Sequence, residues 1–348
     1  MSTPTPLASF LGGFGLSLPV YSLMILNGNV FGISGFVHRA VRGNKEALIA
    51  TVGLIIGGTI IGAVEGRGPE SSSSSLPGLL LSGLLVGLGT KLSNGCTSGH
   101  MLAGLSRFSK RSITATAIFF CTAVATTKLL HPPRFLPTNP PDYSLNTMDK
   151  TLLVAQTIPL LASVLLYTYV RLHFQMANSV FELIYAQSSM SFFNPKNSPS
   201  LGERKLRPVA RLAALMSTTV EFALALRLSN LTDPKKVTAF LLLPSHPAFD
   251  PSLAFLAIGA IPIGAILYHL FRGPERPVLG GSWAIPKSGS IDSKLVLGSV
   301  LFGIGWGISG LCPGPAVINL GRALSSGSQL TNWLWWSFAF IVGGLCVN

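Results

Sequence analysis

Residues 7–26 and 151–170 are uncharged throughout, and the uncharged runs at 295–321 and 323–348 are longer still. A helix needs roughly 20 apolar residues to cross the hydrocarbon core of a bilayer, so runs of this length constrain the chain more than any other feature. Only 11% of its 348 residues are charged, against about a quarter in ordinary soluble domains. A soluble fold with so little charge would expose large apolar patches and aggregate. The mean hydropathy of +0.53 and the 37 glycines fit a bundle solvated by lipid, in which small residues let helix backbones approach. The fold class read here is therefore all-α, a polytopic membrane helix bundle.

About nine spans are expected, at 7–26, 47–65, 76–92, 112–130, 151–171, 208–228, 252–271, 295–308 and 331–346. Residues 1–6 carry no basic stretch, which speaks against a cleavable signal peptide. Arg39, Arg42 and Lys45, then Arg107, Lys110 and Arg111, then Lys196, Arg204, Lys205 and Arg207, then Arg272 and Arg276 all fall on one side of that frame. Basic loops stay in the cytoplasm, so the N-terminus is expected outside and the C-terminus inside, in the cell membrane. This topology accounts for the net charge of +13 without nucleic acid. The serines at 71–75 read as an exposed loop, and 172–206 as an interfacial or cytoplasmic amphipathic stretch.

An internal repeat lies on this frame. GISGFV (32–37), KLSNGC (91–96), RLSNLT (227–232) and GISGLC (307–312) share a core after a hydrophobic span, and GLGTKLSNGC (87–96) matches GIGWGISGLC (303–312) further. Such internal similarity is typical of transporters. Gly- and Pro-rich stretches at 97–106, 232–243 and 313–322 are too short to span twice, and broken backbone inside a bilayer is tolerated only where protein or water covers it. They read as re-entrant half-helices. With the fifth span as an odd connector the halves are inverted and meet as an hourglass: 1–130 is the first half, 151–206 the connector and loop, 207–348 the second half, all one transport domain.

SNGCTSGHMLAG (93–104) and SGLCPGPAVINLG (309–321) each place a cysteine between a small-residue turn and a half-helix start. Helix N-termini offer unpaired N–H groups and suit an anion, and a thiol is a soft, weak donor suited to a polarisable sulfur atom. A single buried cysteine is more often a packing residue; its repetition at one position in both halves favours function. The candidate substrate-binding residues are Cys96, Cys312, Gly95, Thr97, Ser98, Pro313, Asn29, Ser93 and Ser309. His100, Lys91, Arg227, Lys235 and Lys236 are candidates for the entrance, the last two at the outer mouth. Cys121 and Cys346 read as packing residues, Glu221 as a partner for Arg211 or Arg227, and Trp333, Trp335 and Trp336 as an interfacial belt. No catalytic residue, metal or cofactor is implied.

At these motifs the chain resembles the YeeE/YedE family of sulfur-transport membrane proteins. The strings SNGCTSGH…GLSRFSKRS (93–112), SNLTDPKKVTAFL (229–241), FDPSLAFLAIGA (249–260) and LFGIGWGISGLCPGPA (301–316) carry the likeness. The resemblance implies thiosulfate uptake through an hourglass whose constriction cysteines hold the ion transiently, with Cys96 and Cys312 at such positions. Members of that family carry a third cysteine in the first re-entrant region, where NGNVFGISGFV (27–37) has none and Asn27 or Asn29 stands instead. Sulfide, sulfite or a selenium compound are the alternative cargoes, and a membrane sulfurtransferase the alternative class. The expected partners are the sulfur anion, the bilayer and a cytoplasmic sulfur-accepting protein.

Overall fold

The computed structural model describes residues 3–72, 74–130, 138–187, 207–287 and 289–347, with backbone alone for 173–187. All regular elements among them are helical: α1 (Pro6–Asn27), α2 (Ile33–Val41), α3 (Lys45–Glu65), α4 (Leu76–Ser93), a π-helix π1 (Thr97–Leu105), α5 (Lys110–Leu130), α6 (Thr147–Gln187), α7 (Pro208–Leu228), α8 (Pro234–Leu241), α9 (Ser252–Phe271), α10 (Ser293–Ser309), α11 (Pro313–Ser326) and α12 (Leu330–Leu345). Each of the nine expected spans corresponds to one helix. Seven are long and apolar enough to cross a bilayer: α1, α3, α4, α5, α6, α7 and α9. With 17 and 16 residues, α10 and α12 fall short by length, while α10 and α11 qualify together as a pair bent by 40°. The chain is a multi-pass helical membrane protein. α6 runs on to Gln187, past its expected end, and the rest of the expected amphipathic stretch, 188–206, lies outside the described residues.

The long helices α1, α4, α7 and α10 each stop at a left-handed residue: Gly28 (φ 72°), Asn94 (58°), Asn230 (65°) and Gly310 (69°) respectively. Glycine and asparagine reach that region most easily, which is why they stop helices. A short link follows each, then a short helix: α2, π1, α8 or α11. The true repeat is thus long helix, left-handed stop, short helix, long helix, four times, with α6 as connector. One sequence pairing is corrected here. Ser34 of GISGFV sits inside α2, whereas Ser93, Ser229 and Ser309 close their long helices; the counterpart in the first unit is Asn27-Gly28. The Ile-Ser-Gly string recurs there at the wrong register.

The halves are inverted. α4 and α10 pack antiparallel: Ser82 meets Ser309 at one end and Ser93 meets Gly298 at the other. α1 and α7 do the same, through Ser9 and Ser229 at one end and Asn27 and Arg211 at the other. α1 runs parallel with α9, from Thr5–Ser252 to Tyr21–Phe271, as α7 does with α3, from Arg211–Glu46 to Arg227–Glu65. Exchanging the halves therefore preserves these pairings. Lipid supplies no hydrophobic force between helices, so close packing must hold them. Glycine makes this possible: a Cβ on Gly12 would overlap the backbone of Ser229, and one on Gly89 the backbone of Phe302.

Several sequence expectations fail because tertiary packing reassigns faces. Trp333 and Trp336 are buried at 2% and 1% exposure, and only Trp335 faces outward. Trp336 donates its indole N–H to Ser82 Oγ at 3.1 Å. Cys121 and Cys346 are exposed on the bundle surface, not packed inside. The serine run is not a free loop: Ser72 and Ser74 donate to the carbonyls of Ser309 and Ile308, occupying acceptors that the end of α10 leaves open.

Candidate functional site

π1 and α11 are equivalent short helices of the two halves. Each begins with a cysteine as N-cap, Cys96 and Cys312, both with extended backbone. Thr97 and Pro313 follow at the first helical positions; proline there sacrifices no hydrogen bond, because the first N–H groups of a helix are unpaired. The inversion aims both N-termini at one central region. There Thr97 Oγ1, from the first half, donates to Cys312 Sγ, from the second, at 3.3 Å. Cys96 Sγ lies 3.2 Å from Ser98 Oγ, and Ser98 Oγ accepts the N–H of Ile33, the first residue of α2, at 3.1 Å. Both thiols are 1% exposed. Cys96, Thr97, Ser98, Cys312 and Pro313 thus share one place.

Two cavities flank it. One is a vestibule of about 590 Å³ reaching from one end of the bundle to Gly95, Gly99 and His100. Arg39, Arg42, Lys91, Arg107 and Arg111 line it, with no carboxylate in its described lining. The clustered cations concentrate anions at its mouth. The other is a central chamber of about 90 Å³ bordered by Thr97, Ser98, Gly314 and Pro315, and otherwise walled by apolar groups such as Phe222, Phe240 and Trp306. Gly32 faces the vestibule and Ile33 the chamber; Gly95 faces the vestibule and Thr97 the chamber. Cys96 therefore stands in the partition between a basic and an apolar space.

The remaining candidates divide. Asn29 and Lys91 line the vestibule, while Asn27 is buried and ties α1 to the Arg211 carbonyl at 3.1 Å. Gly95 lies against the His100 ring, which a Cβ would strike. His100 bonds Ser112 Oγ at 3.1 Å and the Ser93 carbonyl at 3.3 Å, so its nitrogens are engaged away from the thiols. Ser93 and Ser309 build the turns, bonding Gly89 O and Ser82 Oγ respectively. Lys235 is exposed, and Lys236 turns inward to Thr3 O at 3.1 Å and Thr5 Oγ1 at 2.8 Å; neither lines the vestibule or the chamber. Adjacent residues on the eight-residue α8 diverge by about 100°, which separates the pair.

Arg227, at the repeat position matching Lys91, is buried in a closed ring. It pairs with Glu65 at 2.5 Å and Glu70 at 3.1 Å, and Arg322 pairs with the same two carboxylates at 2.6 and 2.8 Å. The ring joins α3, the loop after it, α7 and α11 at the end opposite the vestibule. Arg211 pairs with Glu46 at 2.7 Å. Both expected partners of Glu221 are thus taken; Glu221 is 1% exposed and its Oε2 has no hydrogen-bond partner among the described residues. Sequence reasoning missed the ring, because Glu65, Glu70 and Arg322 belong to no repeat. It also missed Trp306 and the phenylalanines of the chamber. Trp306 lies within the repeat string GIGWGISGLC, the one signal that could have found it.

Residues 210–346 match the model of a family of unknown function, DUF6691. Two proteins named "Probable transporter", from two strains of Xylella fastidiosa, are 44% and 43% identical over 119 residues, covering 33% of this chain and 88% of each relative. A third of the same name from that organism is 35% identical over 116 residues, 33% of this chain and 78% of the relative. The chain belongs to the family of these proteins. No solved structure matches it. A bundle of membrane-spanning helices and relatives named as transporters support membrane transport as its activity.

Proposed function

We propose that the chain takes up a small sulfur-containing anion, with thiosulfate as the foremost substrate, through a path that passes the two thiols. The observation that carries this reading is the meeting of Cys96 and Cys312 at opposed helix N-termini, joined through Thr97. Neutral thiols, hydroxyls and helix N–H groups hold an anion softly, which conduction requires: binding strong enough to admit and weak enough to release. The apolar chamber disfavours strongly hydrated ions such as sulfate, because their water is costly to remove. It favours a polarisable ion with a sulfur terminus. The YeeE/YedE-like strings around both cysteines point to the same class.

The N-terminal segment near Lys236 and the C-terminal Val347 near Arg42 lie at opposite ends of the bundle. With the basic vestibule on the cytoplasmic side of the cell membrane, the ion enters at the end of the Arg227 ring and leaves through the vestibule toward a sulfur-accepting protein. The test is uptake of radiolabelled thiosulfate into proteoliposomes holding the purified chain. Uptake that unlabelled thiosulfate suppresses and sulfate does not is the expected result. Equal uptake by Cys96→Ala/Cys312→Ala would remove the thiols from the path. Stronger competition by sulfide, sulfite or selenosulfate than by thiosulfate would reassign the cargo.

A further inference from the structure

At the vestibule end, on the flank of the bundle, α1, α6 and the segment after α9 enclose a groove of about 570 Å³. That segment is fastened to the end of α1, Val278 N–H donating to Ile25 O at 2.9 Å and Leu279 N–H to Leu26 O at 3.0 Å. Ile25, Leu26 and Val164 make one part of the groove apolar, and Arg171, Arg272 and Arg276 make the other part basic.

Two of these guanidiniums are pre-set. Arg171 donates to Tyr167 OH at 2.8 Å, and Arg272 to Tyr268 OH at 2.7 Å with its guanidinium 4.8 Å above that ring. Arg272 also pairs with Glu275 at 3.3 Å, but Lys287 lies closer to that carboxylate, at 2.5 Å, and holds its carboxyl below the usual range. The positive charge of the groove therefore exceeds its negative charge. Val164, Leu165, Leu270 and Phe271 beside it are exposed apolar side chains, which on a membrane helix face lipid.

We propose that this groove binds the headgroup of an anionic phospholipid. The phosphate sits among Arg171, Arg272 and Arg276, and the acyl chains lie along the exposed faces of α6 and α9. A basic pocket between helix ends next to an apolar wall matches a lipid in both its charged and its greasy part, and guanidinium suits phosphate through paired N–H donors. The apolar flank selects a lipid over a soluble anion. This inference rests on the chain spanning a membrane and is independent of the cargo.

Native mass spectrometry of the full chain in detergent tests it, with phosphatidylglycerol and phosphatidylcholine of the same acyl chains. Retention of phosphatidylglycerol should exceed that of phosphatidylcholine by about tenfold, and Arg171→Gln/Arg272→Gln/Arg276→Gln should abolish the preference. Arg276→Gln alone removes one exposed side chain without disturbing packing and should lower the preference about threefold. Lys294→Gln, at the same end but off the groove, should leave it intact. Equal retention of the two lipids, or an unchanged preference in the triple and single Arg variants, overturns the proposal. Displacement of the lipid by millimolar inorganic phosphate also overturns it, in favour of a soluble-anion site.

Discussion

Thr97 Oγ1 donates a hydrogen bond to Cys312 Sγ across 3.3 Å, although the two residues are 215 positions apart. Each stands at the start of a short helix, one per inverted half, so this bond is where the pseudo-symmetry of the chain becomes a single site. A hydroxyl donating to the sulfur also sets the thiol hydrogen free to point elsewhere, toward an ion in the path. Thr97→Val should therefore raise the KM for thiosulfate uptake about fivefold, the worth of one modest hydrogen bond, and Thr97→Ser should restore it. Cys312→Ala should lower uptake further, by about tenfold or more, since it deletes the donor itself. Uptake kinetics in proteoliposomes with each variant check both.

The vestibule acts at a distance, through its field. Lys91→Gln and Arg42→Gln should each raise the KM severalfold at low ionic strength for thiosulfate presented on the vestibule side of the membrane, and leave the KM from the opposite side unchanged. The difference from the unmodified chain should shrink at high salt, where a Debye length of roughly 3 Å screens the vestibule from an approaching ion. A salt series of initial uptake rates separates this from a change at the thiols, whose contacts are short and little screened.

Arg227, Arg322, Glu65 and Glu70 form a neutral ring, and its members depend on one another. Removing one charge leaves the others buried and uncompensated, which costs about 3–5 kcal/mol. Glu65→Gln should thus lower the thermal midpoint strongly. Glu65→Gln combined with Arg322→Gln should be less harmful than the sum of the two single changes, because the double variant restores neutrality. Thermal unfolding in detergent, followed by tryptophan fluorescence, gives all four corners of the cycle.

Acid should weaken the same ring. Burial pushes the Glu70 carboxyl up, but the guanidiniums of Arg227 and Arg322 outweigh it and hold the group at about 2, below its ordinary 4.5. A carboxyl depressed on folding stabilises the folded state fully above its unfolded value, and loses that contribution as pH falls toward the folded value. The stability gap between the unmodified chain and Glu70→Gln should therefore be constant near neutrality, narrow below pH 4.5 and approach zero near pH 2. A gap that stays constant down to pH 3 would detach Glu70 from the ring's stability.

Helix contacts through glycine should tolerate no side chain. Gly12→Val and Gly89→Val place atoms where the backbones of Ser229 and Phe302 already are, and backbone cannot step aside as a flexible side chain can. Both should reduce the yield of monodisperse protein severely. Gly99→Ala, where a Cβ meets nothing within 4 Å, should fold normally. Size-exclusion profiles of the three variants compare them directly.

The sequence by itself determined the membrane class, the positions of the spanning helices and the equivalence of Cys96 and Cys312, because these rest on local signals. Uncharged length sets a span, a Gly or Asn stop sets a helix end, and a small-residue turn before Thr or Pro sets a helix start. Only the tertiary structure decided which faces meet. It buried Trp333 and Trp336, exposed Cys121 and Cys346, gave Arg227 to a charge ring while leaving Lys91 on an open vestibule, and left Glu221 without the arginines its position suggested. In a chain where nearly every helix is apolar all round, hydropathy carries no record of which side faces lipid and which faces protein. That choice is made by close packing between helices distant in sequence, and the packing is written in the glycines as fit, not as polarity.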